Sequence, residues 1–311
     1  MNRLDMNGLE IFDGAQSDGP FELHFGDVAA EAARALDGSV VTPLTHLALI
    51  RAAGADVETF LQGQLSNDVR QLRADRGQLS SFNSPKGRML AALQLLRAGD
   101  GLLLELQRAI LETTLKRLSM YVLRSKVKLA EATDLALFGI AGPEAPQILA
   151  GLGLPAPTAP QDCAWSGAVG VLRRLGSLPR YTLLVPAASA AGWWNDLRAR
   201  APAVGTQAWK LLEIEAGVPA VYPQTQDHFV PQMCNLEALG GISFDKGCYT
   251  GQEVVARVHY RGAVKRHMSK VVTLQAGLQP GSSFALPDGR NGEVVESAPH
   301  PNGGTVALVV A

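Results

Sequence analysis

Apolar positions first settle into a regular pattern at Leu47–Gly54, where LALIRAAG makes a strand-length run closed by glycine. Upstream, residues 1–35 hold no sustained period and read as a variable lead-in. After the first run, Val57, Phe60, Leu61 and Leu65 fall at helical spacing, with Asp56 placed to cap their helix. The segment from Gln78 to Leu106 then reads as strands around two turns, Ser84-Pro85-Lys86-Gly87 and Ala98-Gly99-Asp100-Gly101. A helix near residues 109–121 and a strand near 126–131 complete the order β-α-β-β-α-β, the split βαβ of ferredoxin-like folds.

The pattern then restarts. LALFGIAG (Leu135 to Gly142) echoes LALIRAAG, and Pro143 stands where the first residue of a following helix belongs. AVGVLRRL and RYTLLVPA supply strands, and SAAGWWNDLRARA a further helix. Beyond about Lys265, HMSKVVTL, SSFALP, GEVVES and GTVALVVA are short strands separated by Gly, Pro, Asp and Asn. The expected architecture is α+β. A body at 36–264 holds two ferredoxin-like units, about 36–132 and 133–205, with 206–264 completing it. A small antiparallel, barrel-like β domain at 265–311 follows, ending at Ala311 and so expected to be minimal.

Composition narrows the function classes. With 47% hydrophobic and 18% charged residues and a net charge of −1, the chain is globular and carries no global field for nucleic acid or membrane. Its start is acidic where a signal peptide needs an apolar core, and no run of apolar residues is long enough to span a bilayer. The three cysteines (Cys163, Cys234, Cys248) are scattered, which argues against a disulfide framework and a conventional zinc site and for the cytoplasm. Two stretches are basic and free of acids. One holds Lys116, Arg117, Arg124, Lys126 and Lys128; the other holds Arg257, Arg261, Lys265, Arg266 and Lys270. Convergence of the two on one cleft would favour an anionic small molecule.

The densest chemistry lies in DKGCYTGQEVVARVHYRG, from Asp245 to Gly262. Thr250-Gly251-Gln252-Glu253 has the form of a capping box before Val254, Val255 and Val258. Thr250 would then be the N-cap, and Glu253 a cap partner rather than a general base. Cys248 would stand just ahead of the helix, between Lys246 and Arg257, where the dipole and the cations favour a thiolate. A second reading of Cys248 stays open at this level: a small buried hydrophobe in a glycine-rich turn between Gly247 and Gly251. In AWKLLEIEAGVP, Trp209 and Glu215 could receive a flat heterocycle, the indole on its face and the carboxylate on its N–H groups; core packing is the alternative. The SPKGR turn (Ser84 to Arg88) reads equally as an anion clamp or an exposed hairpin.

The run PQMCNLEALGGISFDKGCYTGQEVVARVHYRGAVKR resembles the YgfZ family, whose signature stands here as Lys246, Gly247, Cys248, Tyr249, Gly251, Gln252 and Glu253. FLQGQLSNDV, SPKGRMLA, YVLRSKV and IEAGVP extend the resemblance over about residues 40–270. It implies a fold like that of the glycine cleavage T protein, with a central opening for tetrahydrofolate. It further implies a role in assembly or repair of iron–sulfur proteins, including radical enzymes that modify tRNA. Partners would be a reduced folate and iron–sulfur client proteins, with neither direct nucleic-acid contact nor a membrane. By match, Cys248 is the functional thiol, Trp209 a folate contact, and Glu215 the carboxylate facing the pterin. Leu47 stands where a second aromatic contact is expected, and Asn83-Ser84-Pro85 replaces an acidic turn. The T protein's catalytic aspartate has no counterpart there, so turnover as an aminomethyltransferase is the alternative rather than the leading expectation.

Overall fold

The computed structural model describes residues 11–311; the first ten residues of the expected lead-in lie outside the described residues. Mixed α/β architecture is built here from antiparallel sheets. The first runs in the order Gln78–Asn83, Met89–Ala98, Gly101–Gln107, Leu47–Ala53, Lys128–Glu131. The second runs Cys163–Ser166, Val169–Arg173, Arg180–Pro186, Leu135–Ala141, Val40–Pro43. The echoed segments LALIRAAG and LALFGIAG thus occupy matching places, each one strand in from an edge.

Each sheet has five strands, one more than a split βαβ unit supplies. In the second sheet an edge strand comes from upstream of the first: Val40–Pro43 pairs with Leu135–Ala141, Val40 opposite Ala141 and Pro43 opposite Phe138. The chain leaving helix Ala190–Arg198 adds only a single parallel bridge, Ala203 to Val41. Val40–Pro43 therefore fills the edge that a strand after that helix would have taken.

Alternation explains why these strands read as nearly continuous apolar runs. Leu47, Leu49, Leu103, Leu137 and Leu184 point into a core shared by the two sheets, while Ala48, Ile50, Leu102 and Leu104 face the helices outside the first. Phe138, Ile140, Leu183 and Val185 do the same outside the second, where Phe138 stacks on Trp194 at 5.9 Å. Both faces are buried, so the period of two is masked by apolar residues on each.

Two local expectations are corrected. Pro143 precedes the helix Ala145–Gly151, and Pro146 holds the early helical position instead. Asp56 does sit at the N-cap of helix Val57–Gln62, but its carboxylate accepts from the Lys126 backbone N–H at 2.7 Å rather than from its own helix.

A third, four-stranded antiparallel sheet follows, in the order Met268–Thr273, Thr305–Val310, Asn291–Pro299, Ser283–Ala285. Helix Thr206–Glu215 packs between its long strand Asn291–Pro299, strand Val40–Pro43 and helix Val28–Asp37, and shares core with the first sheet, so the three larger sheets meet near that helix. A register shift between Val294 and Glu296 kinks the long strand at this junction. Among the described residues no helix is long and apolar enough to cross a membrane.

Candidate functional site

Of the three cysteines, Cys248 is exposed, whereas Cys163 and Cys234 are buried. Burial pushes the Cys163 thiol up to about 11 and raises that of Cys234 as well, which keeps both neutral. The residues around Cys248 are taken up by structure. Lys246 is buried, and its Nζ donates to the carbonyls of Gln62, Leu65 and Asn67 at 2.8, 2.6 and 2.9 Å. An ammonium has three donors, and here all are used. Burial lowers its pKa to about 8, so it stays largely protonated near neutrality. The Tyr249 ring lies 4.8 Å from the same ammonium, with its phenol pushed up by burial.

The helix begins differently from the expected capping box. It spans Gln252–Arg261 with Gly251 as N-cap at φ +80°, and no side chain bonds across the cap. Instead the Tyr249 backbone N–H donates to Gln252 Oε1 at 3.3 Å, and the Thr250 N–H goes to Gly63 O at 3.3 Å. Glu253 and Arg257 are exposed, as is Gly247. The reason for the change is steric. A Cβ on Gly251 would fall 2.4 Å from Ser84 O, and one on Gly87 (φ +71°) would fall 2.7 Å from Val254 Cβ. Two left-handed glycines let the helix start dock directly on the Ser84–Arg88 turn. The turn is thus a platform: the Ser84 hydroxyl donates to Asp227 at 2.5 Å, and Arg88 donates to His228 O at 2.8 Å.

A separate cavity lies where the three sheets meet, lined by His46, Leu47, Glu105, Arg174, Trp209 and Glu213 among others. Arg174 Nη1 donates to Glu105 at 2.5 Å and Nη2 to Glu213 Oε1 at 2.9 Å, while Arg180 Nη2 donates to Glu213 Oε2 at 3.4 Å. Burial alone would raise the Glu213 pKa; the two guanidiniums outweigh it and hold the carboxyl down at about 2. At His46 burial dominates, helped by Lys210, and lowers the pKa to about 3. Three buried polar atoms of the lining have no partner among the described residues: His46 Nδ1, Glu105 Oε2 and Trp209 Nε1.

These shifts make a signed prediction. The unfolded chain protonates His46 below about 6.5 but the folded chain only near 3, so stability is lost on acidification through that window. By about pH 4 the loss from this residue alone is about 3 kcal/mol. Glu213 contributes stability that is present above 4.5 and lost toward about 2. Urea titrations across this range should show the upper slope in the native chain and not in His46→Gln; an unchanged slope would refute the assignment.

The structure separates several residues that the sequence placed together. Trp209 reaches the cavity, but its ring is fully buried. Its six-membered ring lies against Gly139, where a Cβ would come within 2.5 Å, and the Arg180 guanidinium sits 5.5 Å from the ring centroid. The indole therefore offers no open face for stacking. Glu215 is exposed and pairs with Lys270 at 2.6 Å; the carboxylate turned toward the cavity is Glu213, two residues earlier. Neither basic stretch lines the cavity, whose cations are Arg174 and Lys210. The missed residues left a signal: Glu105 interrupts LLLEL and Arg174 ends VGVLRR, charges inside otherwise apolar strands.

Comparison with known proteins places this geometry. The crystal structure of glycine cleavage system aminomethyltransferase T from Bartonella henselae superposes with a TM-score of 0.81, over 98% of this chain and 88% of that chain, at 18% identity. At that identity the likeness is one of fold. The tRNA-modifying protein YgfZ of Escherichia coli O127:H6 (strain E2348/69 / EPEC) is 38% identical over 245 residues, covering 79% of this chain and 73% of the relative. The chain belongs to the YgfZ family. The YgfZ protein of Escherichia coli strain K12 / DH10B matches to the same extent. None of the known protein-family models matches the chain. The family resemblance read from Lys246 to Glu253 is thereby borne out.

Proposed function

We propose that this YgfZ-family chain is a folate-binding accessory protein that maintains iron–sulfur proteins, tRNA-modifying enzymes among them, through the thiol of Cys248. The observation that carries the reading is the contrast within the motif. Lys246, Tyr249, Gly251 and Gln252 are consumed in holding the loop, and the thiol they leave over is exposed. The relatives' name, tRNA-modifying protein, supplies the client class. The fold is read more finely as two ferredoxin-like units at about 36–132 and 133–205, completed by 206–264, with a barrel-like β domain at 265–311.

The junction cavity is the proposed folate site. Its three unpartnered polar atoms fit a pterin-like ring: Glu105 Oε2 accepts from ring N–H groups, Trp209 Nε1 donates to a ring nitrogen or carbonyl, and His46 Nδ1 serves either role by tautomer. Reduced folate would supply a one-carbon carrier there. The chain's own residues bind and orient it, with Arg174 fixing Glu105 in place. Glu105 is also the carboxylate that an aminomethyltransferase reading requires; formation of methylene-tetrahydrofolate from an aminomethyl donor would favour that alternative.

Cys248→Ala tests the proposal. Purified, it should melt like the native chain and give the same tetrahydrofolate titration. In cells lacking the native protein, it should leave iron–sulfur-dependent tRNA modification at the level of the deletion. Full modification would sink the thiol's role, and absence of calorimetric heat with tetrahydrofolate would sink the folate site.

A further inference from the structure

Beyond the thiol, helix Gln252–Arg261 carries an outward face that nothing above uses. Glu253, Arg257, Tyr260 and Arg261 are spaced i, i+4, i+7 and i+8, so they share one side, and all four are exposed. Val255, on the opposite side, is fully buried. Tyr260 is 65% exposed, unusual for so large a ring. It is braced rather than loose. His259 stands edge-on to it with centroids 4.7 Å apart, and Phe244 stacks on His259 at 3.7 Å with 16° between planes. Phe244 also meets Tyr260 edge-on at 6.0 Å.

The charges around this ring are mostly basic. Arg257, Arg261 and Lys265 are exposed and make no ion pair among the described residues. The neighbouring Glu237 is committed to His259 at 2.8 Å. Glu253 marks the helix-start end of the face, and Asp245 is exposed in the Cys248 loop. What remains is a fixed, open aromatic ring flanked by free guanidiniums.

Against the expectation of no direct nucleic-acid contact that the family resemblance carried, we infer that this face binds single-stranded RNA, one base stacked on Tyr260 and the adjoining phosphates on Arg257 and Arg261. A braced ring offers every nucleobase a π-face, and guanidiniums match phosphate oxygens in a planar fork. An acidic peptide would use the cations but would leave the ring without a role. The choice of RNA over DNA rests on the reading that the clients modify tRNA; the surface itself does not depend on folate.

Fluorescence anisotropy with a labelled, unstructured RNA of about 12 nucleotides at low salt tests this. The native chain should bind, and Tyr260→Ala should weaken binding about tenfold, as loss of one stacked base does, with Tyr260→Phe restoring it. Arg257→Gln with Arg261→Gln should lower the slope of log affinity against log salt by about two. Equal binding by Tyr260→Ala, or no binding by the native chain, overturns the inference. So does displacement by polyglutamate as effective as by unlabelled RNA, which would assign the face to an acidic protein segment. Tighter binding of the matching DNA would overturn the choice of RNA. Tetrahydrofolate titration of the same variants should stay native, which keeps this outcome separate from the fate of the folate site.

Discussion

Arg174→Met is expected to cost about 3–5 kcal/mol, the loss typical of breaking a buried ion pair from one side. Arg174 is 11% exposed and is the direct link between Glu105 and Glu213, each of which is also largely buried. Without it, among the described residues, Glu105 has no cation, and Glu213 keeps only Arg180. Most of the cost is the carboxylates left behind rather than the bonds removed. Adding Glu105→Gln to Arg174→Met should therefore recover a substantial part of the stability. Urea unfolding of the single and double variants measures both numbers. A single-variant loss below about 1 kcal/mol would mean that water already reaches the network and that the pair behaves as a surface one. The same substitution should abolish tetrahydrofolate binding if Glu105 orients the ring, because nothing else holds its carboxylate.

Lys246→Met should have the second-largest effect, about 3 kcal/mol, because hydrogen bonds from a charged donor are worth roughly 1.5–3 kcal/mol and three carbonyls lose theirs together. The methionine fills similar space, so the loss reports hydrogen bonding rather than volume. The effect should be local. The carbonyls of Gln62, Leu65 and Asn67 anchor the Cys248 loop to the segment after helix Val57–Gln62. Hydrogen exchange should quicken in that segment and in residues 245–252, and Cys248 should react faster with a thiol reagent. Lys246→Arg should not rescue it, since a planar fork cannot match three converging carbonyls. Native exchange rates in Lys246→Met would show that the glycine contacts at Gly87 and Gly251 hold the loop by themselves.

Legibility in the sequence followed the range of the interaction. Strands at Leu47–Ala53 and Leu135–Ala141 and the helices between them are written in local period. So is the choice of Cys248 over Cys163 and Cys234, because its neighbours are glycines and charges while theirs are not. The capping box failed for a non-local reason: Thr250 and Glu253 have the right spacing, yet the Ser84–Arg88 turn requires Gly251 to take a positive φ, which moves the helix start by one residue. The carboxylate of IEAG, Glu215, pairs with Lys270 and does not line the cavity, again through non-local contacts. Local pattern cannot separate Glu213 from Glu215, two residues apart on a helix, until Lys270 and Arg174 arrive on opposite sides.

By itself the sequence determined the α+β alternation and the family and singled out Cys248, the exposed cysteine, all of which rest on residue type and spacing within a few turns of chain. Only the tertiary structure decided that Val40–Pro43 closes the second sheet, that Lys246 is spent on three carbonyls, and that Glu105, Arg174 and Glu213 form one buried network. Apolar periodicity states which side of an element is dry. It does not say which distant backbone or charge a buried polar atom will meet, and a buried polar atom must meet one.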